Sequence, residues 1–545
     1  MLNLPATHQP NFSQSLLLCL LPLIAFAGVA YPISDWLVDD ALISFAYARS
    51  LANGAGFVSQ PGMAPVEGFS NPLWTLLFVP AFWLSSDLPL WIAKFFGHAL
   101  SFGTFFFGFQ IVLRLTRSPL FGVLAMTALA LNTSFVVWNV SGLENALYAF
   151  EIVAIAYLGL LALDGLSSRV AVIAGLLAAA AALTRPDGIV FVLLWPGALA
   201  AQILCDRRIP AEILRTCAAY ITAAALPLVS YKAMALVYFG SLFPNTYYTK
   251  GGPDLETILG ILALNPTLID KAIDLLAAPF GFGWITLGIV VTTLAVCFVA
   301  KRSVAPLVYL TGSTAMALLV YILLPWDWMP EFRFGTPFMV LFYPTVFSLV
   351  WVANSALPKI NFVSRQFPAL LLIAVMLASS ILVHQFRIGR FYDDPTTPFT
   401  DISNRYGERF NRAARILGVE KPSFLLQDVG ATLFYSELEI YDLAGLTDAT
   451  IARTLRKDHA RLHDYIFNQV KPTFIVHYAY STLAADLESS PQFREQYVPI
   501  RENVDAIASE DTGRTVYSGT YVRKDLIAGR SDLLEQARAV LFGSP

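Results

Sequence analysis

The sequence predicts a polytopic α-helical membrane protein that carries a soluble α/β domain at its C-terminal end. Three observations predict it. Of 545 residues, 56% are hydrophobic and only 14% are charged, unlike an ordinary soluble chain. Apolar runs recur from residue 15 to about residue 384, and about 20 such residues carry a helix across the hydrocarbon layer. From residue 385 onward the composition turns charged, and strand-like stretches alternate with helix-like ones.

The first run, 15–34, ends in small residues ("IAFAGVAYP") that suit a cleaved leader. No Lys or Arg precedes Arg49, however, so the basic start of a leader is missing and the run is expected to stay as the first span. Downstream, Arg114, Arg117, Arg169, Arg207, Arg208, Arg215, Lys301, Arg302, Lys359 and Arg365 fall in short loops, which the positive-inside rule places in the cytoplasm. About eleven spans are consistent with that: 15–34, 91–113, 119–138, 144–163, 170–184, 187–205, 216–238, 281–300, 304–325, 336–353 and 367–384. The segment 71–86, "NPLWTLLFVPAFWLSS", is read as an interfacial or re-entrant helix anchored by Trp74 and Trp83, because a full crossing would put Arg114 and Arg117 outside. The expected result is a membrane domain, 1–384, with long external loops at 35–90 and 239–280, a short one at Trp326–Arg333, and an external soluble domain, 385–545. In that domain "SFLLQDVG", "PTFIVHY" and "RTVYSGTYVRK" read as strands, and "RYGERFNRAARIL" and "RSDLLEQARAVLF" as helices.

Some functions drop out at this stage. The net charge is −3 and no basic cluster suggests nucleic acid. Cys19, Cys205, Cys217 and Cys297 show no metal-ligand spacing and read as thiols in or beside spans. The chemistry concentrates in "DWLVDDALISFAYAR", where Asp39 and Asp40 open a short helix, 41–51, expected to lie on the outer bilayer surface. One aspartate suffices to cap that helix, which leaves the other for a cavity, where it is suited to act as a general base. Further polar residues gather at predicted outer span ends: Glu67 and Asn71, Glu144, Arg185 and Asp187, Asn245 and Lys250, and Asp327, Glu331 and Arg333. Each alone also fits a turn or cap, but together, on one side, they read as the lining of a cavity. No His/Cys/Asp cluster has metal-ligand spacing. Asp39, Asp40 and Glu67 could hold a divalent cation loosely, and no cofactor is expected.

The stretches "DDALISFAYARSLANGAGFV", "EGFSNPLWTLL", "SGLE", "LTRPDG", "LFPNTYYTK" and "WMPEFRF" resemble the polyprenyl-phosphate-sugar-dependent membrane glycosyltransferases of the GT-C fold. Among these they are most similar to the mycobacterial terminal β-(1→2) arabinofuranosyltransferase group. The resemblance covers most of the chain, including "DVGATLFYSELEIYDLAGLTDATIAR". It implies an enzyme of the cytoplasmic membrane whose site and C-terminal domain face the periplasm or exterior. That enzyme would move a sugar from a polyprenyl-phosphate donor, held in membrane lipid, to a cell-envelope glycan or glycolipid. Asp39 would be the catalytic base, with Asp40 beside it, and residues 241–250 the donor loop. The leaving phosphate calls for positive charge, so Arg333, Lys250 and Arg185 are phosphate-binding candidates, Asn245 in the donor loop is a further donor-binding candidate, and Glu67, Asn71, Glu144 and Asp327 line the cavity. Asp428, Asp442 and Asp448, near strand ends of the external domain, are candidate acceptor-binding or turn-forming groups. Transfer to protein or lipid A by the same fold is the alternative within enzymes. A secondary transporter is the alternative of another class, but it would place its ionisable residues near mid-membrane.

Overall fold

A computed structural model of the chain describes residues 9–206, 212–250, 265–299, 305–356, 367–478, 484–505 and 516–543, with 257, 259, 260 and 263 besides. The expected cytoplasmic Arg207, Arg208, Lys301, Arg302, Lys359 and Arg365 lie outside the described residues, as does the side chain of Cys297. The chain forms two compact units, each assembled from three stretches. The first is Met1–Trp36, Leu90–Lys232 and Gly252–Thr396; the second is Leu37–Pro89, Ala233–Gly251 and Thr397–Pro545.

Every expected span is helical. Among the described residues eight helices are long and apolar enough to cross a membrane. A ninth is added if Pro119–Ala130 and Thr133–Val140, bent by 67°, count as one. Ser168–Thr184 has 17 residues, about 26 Å at helical rise against a hydrocarbon layer of about 30 Å. In the first unit Arg333–Ser355 is the central helix, with 94% of its apolar window buried. Phe12–Ile33, by contrast, has only 28% of its window buried, which is the condition of an apolar helix solvated by lipid. Small residues let backbones approach closely here: a Cβ on Gly175 would stand 2.5 Å from the carbonyl oxygen of Tyr220.

The second unit is built on a five-stranded sheet: β1 Ser423–Leu426, β2 Glu439–Asp442, β3 Phe474–His477, β4 Tyr497–Asp505 and β5 Val516–Arg523. The strand order is β2-β1-β3-β5-β4, with β2, β1 and β3 parallel and β5 antiparallel to both its neighbours. Strand alternation sends Leu425 and Ile475 into one core layer with Ile466, Phe467 and Phe493. Phe424 and Phe474 go to the other side, where Phe410 stacks on Phe424 at 4.1 Å.

Two expectations for the first loop are corrected. The helix Ala41–Ala52 does form, but Ala41–Ala48 and Ser50 are buried. It packs against Pro72–Phe82 and Gly430–Tyr435 instead of lying on a bilayer. Its apolar residues extend around the whole helix, which suits a buried helix better than a surface one. Pro72–Phe82, at 11 residues, is too short to cross. Of its expected interfacial anchors only Trp83 is exposed, because Trp74 is buried against Phe78.

Candidate active site

The second unit fixes the aspartate pair by its main chain first. The Asp39 N–H donates to the Thr397 carbonyl at 3.0 Å, and the Phe399 N–H donates to the Leu37 carbonyl at 3.0 Å. Asp40 holds the N-cap position of Ala41–Ala52, without a side-chain cap hydrogen bond to that helix. Asp39 reaches elsewhere. Its two carboxylate oxygens accept from the backbone N–H groups of Gly430, at 3.1 Å, and Ala431, at 2.6 Å. Asp39 is 3% exposed, while Asp40 is half-buried. Burial pushes the Asp39 carboxyl up to about 8; the two N–H groups oppose that rise, and the charges of Asp40 and Asp428 add to it. The sequence expectation put Asp39 first and Asp40 second as base. The geometry commits Asp39 to the protein's own backbone and leaves Asp40 the more accessible of the two.

Gly430 and Ala431 open the short helix Gly430–Tyr435, at the end of the turn that leaves β1. The chain passes from β1 to β2 on one side, then returns to β3 on the other side of β1. The carboxyl ends of β1 and β3 therefore flank a topological switch point, the place where open α/β sheets form ligand crevices. Asp428 stands just beyond β1 and Tyr478 just beyond β3, and the Tyr478 hydroxyl donates to Asp428 at 2.9 Å. The Tyr406 hydroxyl meets that of Tyr478, and the Arg405 guanidinium lies over the Tyr406 ring. Burial and the nearby Asp40 push the Asp428 carboxyl up, opposed by Tyr478 and Arg405. Tyr478, Tyr406 and Arg405 were not found from sequence. The one available signal was the position of Tyr478 directly after the strand-like "FIVH".

Asp442 and Asp448 are engaged in local hydrogen bonds. Asp442 accepts from the N–H groups of Ala444, Gly445 and Thr447 and so organises the turn after β2. Asp448 caps the helix Ala449–Thr454 through Thr450 and Ile451, and accepts the Tyr465 hydroxyl. Asn245, expected at the donor, spends its amide hydrogens on the carbonyls of Gly445, Leu446 and Asp448 at 2.6, 3.1 and 3.1 Å. Its own N–H donates to the Glu67 carbonyl at 2.8 Å. It is a clamp between three chain segments. Glu67 is buried, and Asn71 accepts from Ser44 and Thr75 in the packing of the two loop helices. The Lys250 side chain lies outside the described part of the structure.

The remaining candidates lie in the first unit and pair with one another. Arg185 binds Glu144 at 2.8 Å and Asp187 at 2.9 Å. The Tyr148 hydroxyl donates to Asp187 at 3.0 Å, and the guanidinium lies over the Phe334 ring at 4.8 Å. Arg333 pairs with Asp327 at 2.6 Å and lies over Phe334 at 4.7 Å. Glu331 pairs with Arg387, a partner that sequence reasoning missed because it sits 56 residues away. Among the described residues no group of three His, Cys, Asp or Glu is arranged to hold a metal ion.

This architecture has known counterparts. The chain is similar to the oligosaccharyltransferase AglB of Archaeoglobus fulgidus, solved in complex with an inhibitory peptide and a dolichol-phosphate. The TM-score is 0.57 at 12% identity, over 93% of this chain and 74% of that one. It is also similar to ArnT from Cupriavidus metallidurans bound to undecaprenyl phosphate, with a TM-score of 0.53 at 12% identity over 93% and 98% of the two chains. The chain has a GT-C fold. Residues 401–521, the sheet domain, match a family model described as a domain of unknown function (DUF8728). No curated protein matches the sequence. The polytopic membrane architecture with its C-terminal α/β domain thus agrees with the expectation from sequence.

Proposed function

We propose that this protein is a membrane glycosyltransferase that takes a sugar from a polyprenyl-phosphate donor, with Asp40 as general base. The observation that carries this reading is the half-buried Asp40, held beside an Asp39 that is already committed, within a fold shared with AglB and ArnT. Those two structures hold dolichol-phosphate and undecaprenyl phosphate. A donor of that class keeps its tail in lipid and presents its sugar at the surface. The acceptor hydroxyl loses a proton to the carboxylate as it attacks the anomeric carbon, and the lipid phosphate departs with the bonding electrons. No cofactor is required for that step.

The motifs quoted above favour arabinofuranose as the sugar and an envelope glycan or glycolipid as the acceptor. The reading places the site and residues 385–545 on the external side of the cytoplasmic membrane. Arg333 and Arg185 are the proposed phosphate contacts of the first unit; a phosphate at either would compete with Asp327 or with Glu144 and Asp187. Purified protein given radiolabelled polyprenyl-phosphate arabinofuranose, and hexose donors in parallel, should release polyprenyl phosphate and label an acceptor. Asp40→Asn should lower that rate roughly 10²–10⁴-fold without loss of folding. An Asp40→Asn protein that transfers sugar at the parent rate refutes the assignment.

A further inference from the structure

We infer that the C-terminal sheet domain is the positioning device for the catalytic carboxylate: by seating Asp39 on the turn after β1, it fixes where Asp40 stands. The inference rests on the reading of Asp40 as base and makes Asp39 a positioning residue. Binding of acceptor is then neither the only nor the first task of that domain.

Four observations in the second unit carry it. The main chain leading into Asp39 is held by the bond from its own N–H to Thr397 and by the bond from Phe399 to the Leu37 carbonyl, and its carboxylate is held by two N–H groups. Adjacent Cα atoms are only about 3.8 Å apart, so a residue fixed in this way leaves its neighbour little freedom. The contact has no slack at Gly430: a Cβ there would fall 1.9 Å from the Asp39 carbonyl oxygen and 2.9 Å from its Cγ. The turn is itself pinned, since the buried Thr432 hydroxyl donates to the Asp428 carbonyl at 2.6 Å and Tyr478 holds the Asp428 carboxylate. Finally, the seat lies at the switch point between β1 and β3, where an open α/β domain ordinarily takes a ligand. Here the chain's own acid fills that place.

A base displaced by about 1 Å can cost on the order of 10²-fold in rate, which sets the test. In the full-length protein, with polyprenyl-phosphate arabinofuranose or the hexose donor that the parent turns over, Gly430→Ala leaves both aspartates intact but pushes the Asp39 segment away. It should lower kcat roughly 10–100-fold and leave the donor KM within about twofold. Asp39→Asn should behave in the same way, and the double variant should lose no more than the worse single one, since both act through one contact. Asp40→Asn should lower kcat by the full factor of roughly 10²–10⁴. Should Gly430→Ala fail to fold, Thr432→Val removes only the bond that pins the turn and is expected to lower kcat a few-fold at unchanged KM. A folded Gly430→Ala or Thr432→Val protein with parental kcat overturns the positioning role while the base assignment stands. An Asp39→Asn protein that loses roughly 10²–10⁴-fold in kcat while Asp40→Asn keeps the parental rate makes Asp39 the base, and overturns both.

Discussion

Replacing Asn245 by Ala separates two roles that the sequence left together. If Asn245 is the clamp that the structure shows, the variant removes an amide whose hydrogens serve three carbonyls, at 2.6, 3.1 and 3.1 Å, in a site 5% exposed. A neutral hydrogen bond contributes about 0.5–1.5 kcal/mol net, and a buried group left unsatisfied costs about 1–3 kcal/mol. Two hydrogens cannot fully serve three acceptors, so the loss amounts to roughly 2–4 kcal/mol. Domains of 150–250 residues shift about 2–4 °C per kcal/mol, which gives a melting temperature lower by roughly 5–15 °C. Asn245→Asp should be worse still, since an ionised carboxylate would face carbonyl oxygens. The assay is intrinsic-fluorescence melting of the detergent-purified chain, with the donor KM measured well below the transition. The clamp predicts a large shift in melting and a donor KM near the parent value. Unchanged melting with a donor KM raised fivefold or more would refute it and return Asn245 to the donor.

Three further outcomes are expected. Arg185→Gln leaves Glu144 and Asp187 buried without their counter-charge and should cost about 3–5 kcal/mol, partly recovered by adding Glu144→Gln; chemical denaturation of the purified variants measures both. Arg333→Lys keeps the charge but loses the planar fork, so a phosphate contact raises the donor KM several-fold, and an unchanged KM assigns Arg333 to Asp327 alone. For pH, Asp39 and Asp442 are raised from 3.8 to about 8 and about 7, so the folded protein binds their protons more tightly than the unfolded chain does. Their contribution is fully present below about pH 3.8 and is lost as pH rises through 7 and 8. Melting of the second unit, followed from pH 5 to 9, should fall towards the alkaline side, and Asp39→Asn should flatten the upper part of that fall.

The sequence by itself determined the membrane class and where the apolar helices fall, because a stretch of about 20 apolar residues has few other places to go; of about eleven spans expected, eight or nine are long and apolar enough to cross among the described residues. It also determined the existence of the α/β domain, since strand period and composition are local properties. The acid pair "DD" stood out in the sequence; what its carboxylates bond to was not legible. The seat of Asp39 lies 391 and 392 residues away in the chain, at Gly430 and Ala431. The capping role assumed the nearest helix, whereas the carboxylate goes to a distant turn. Asn245 likewise looked like a loop amide until its three carbonyl partners, 200 or more residues on, were in place. The segments that cover Ala41–Ala52 were hidden for the same reason, although its all-round apolarity already pointed to burial. Hydrophobicity and period act over one or two turns of chain. Hydrogen-bond partners are set by which segments the fold brings within about 3 Å, and only the tertiary structure decides that.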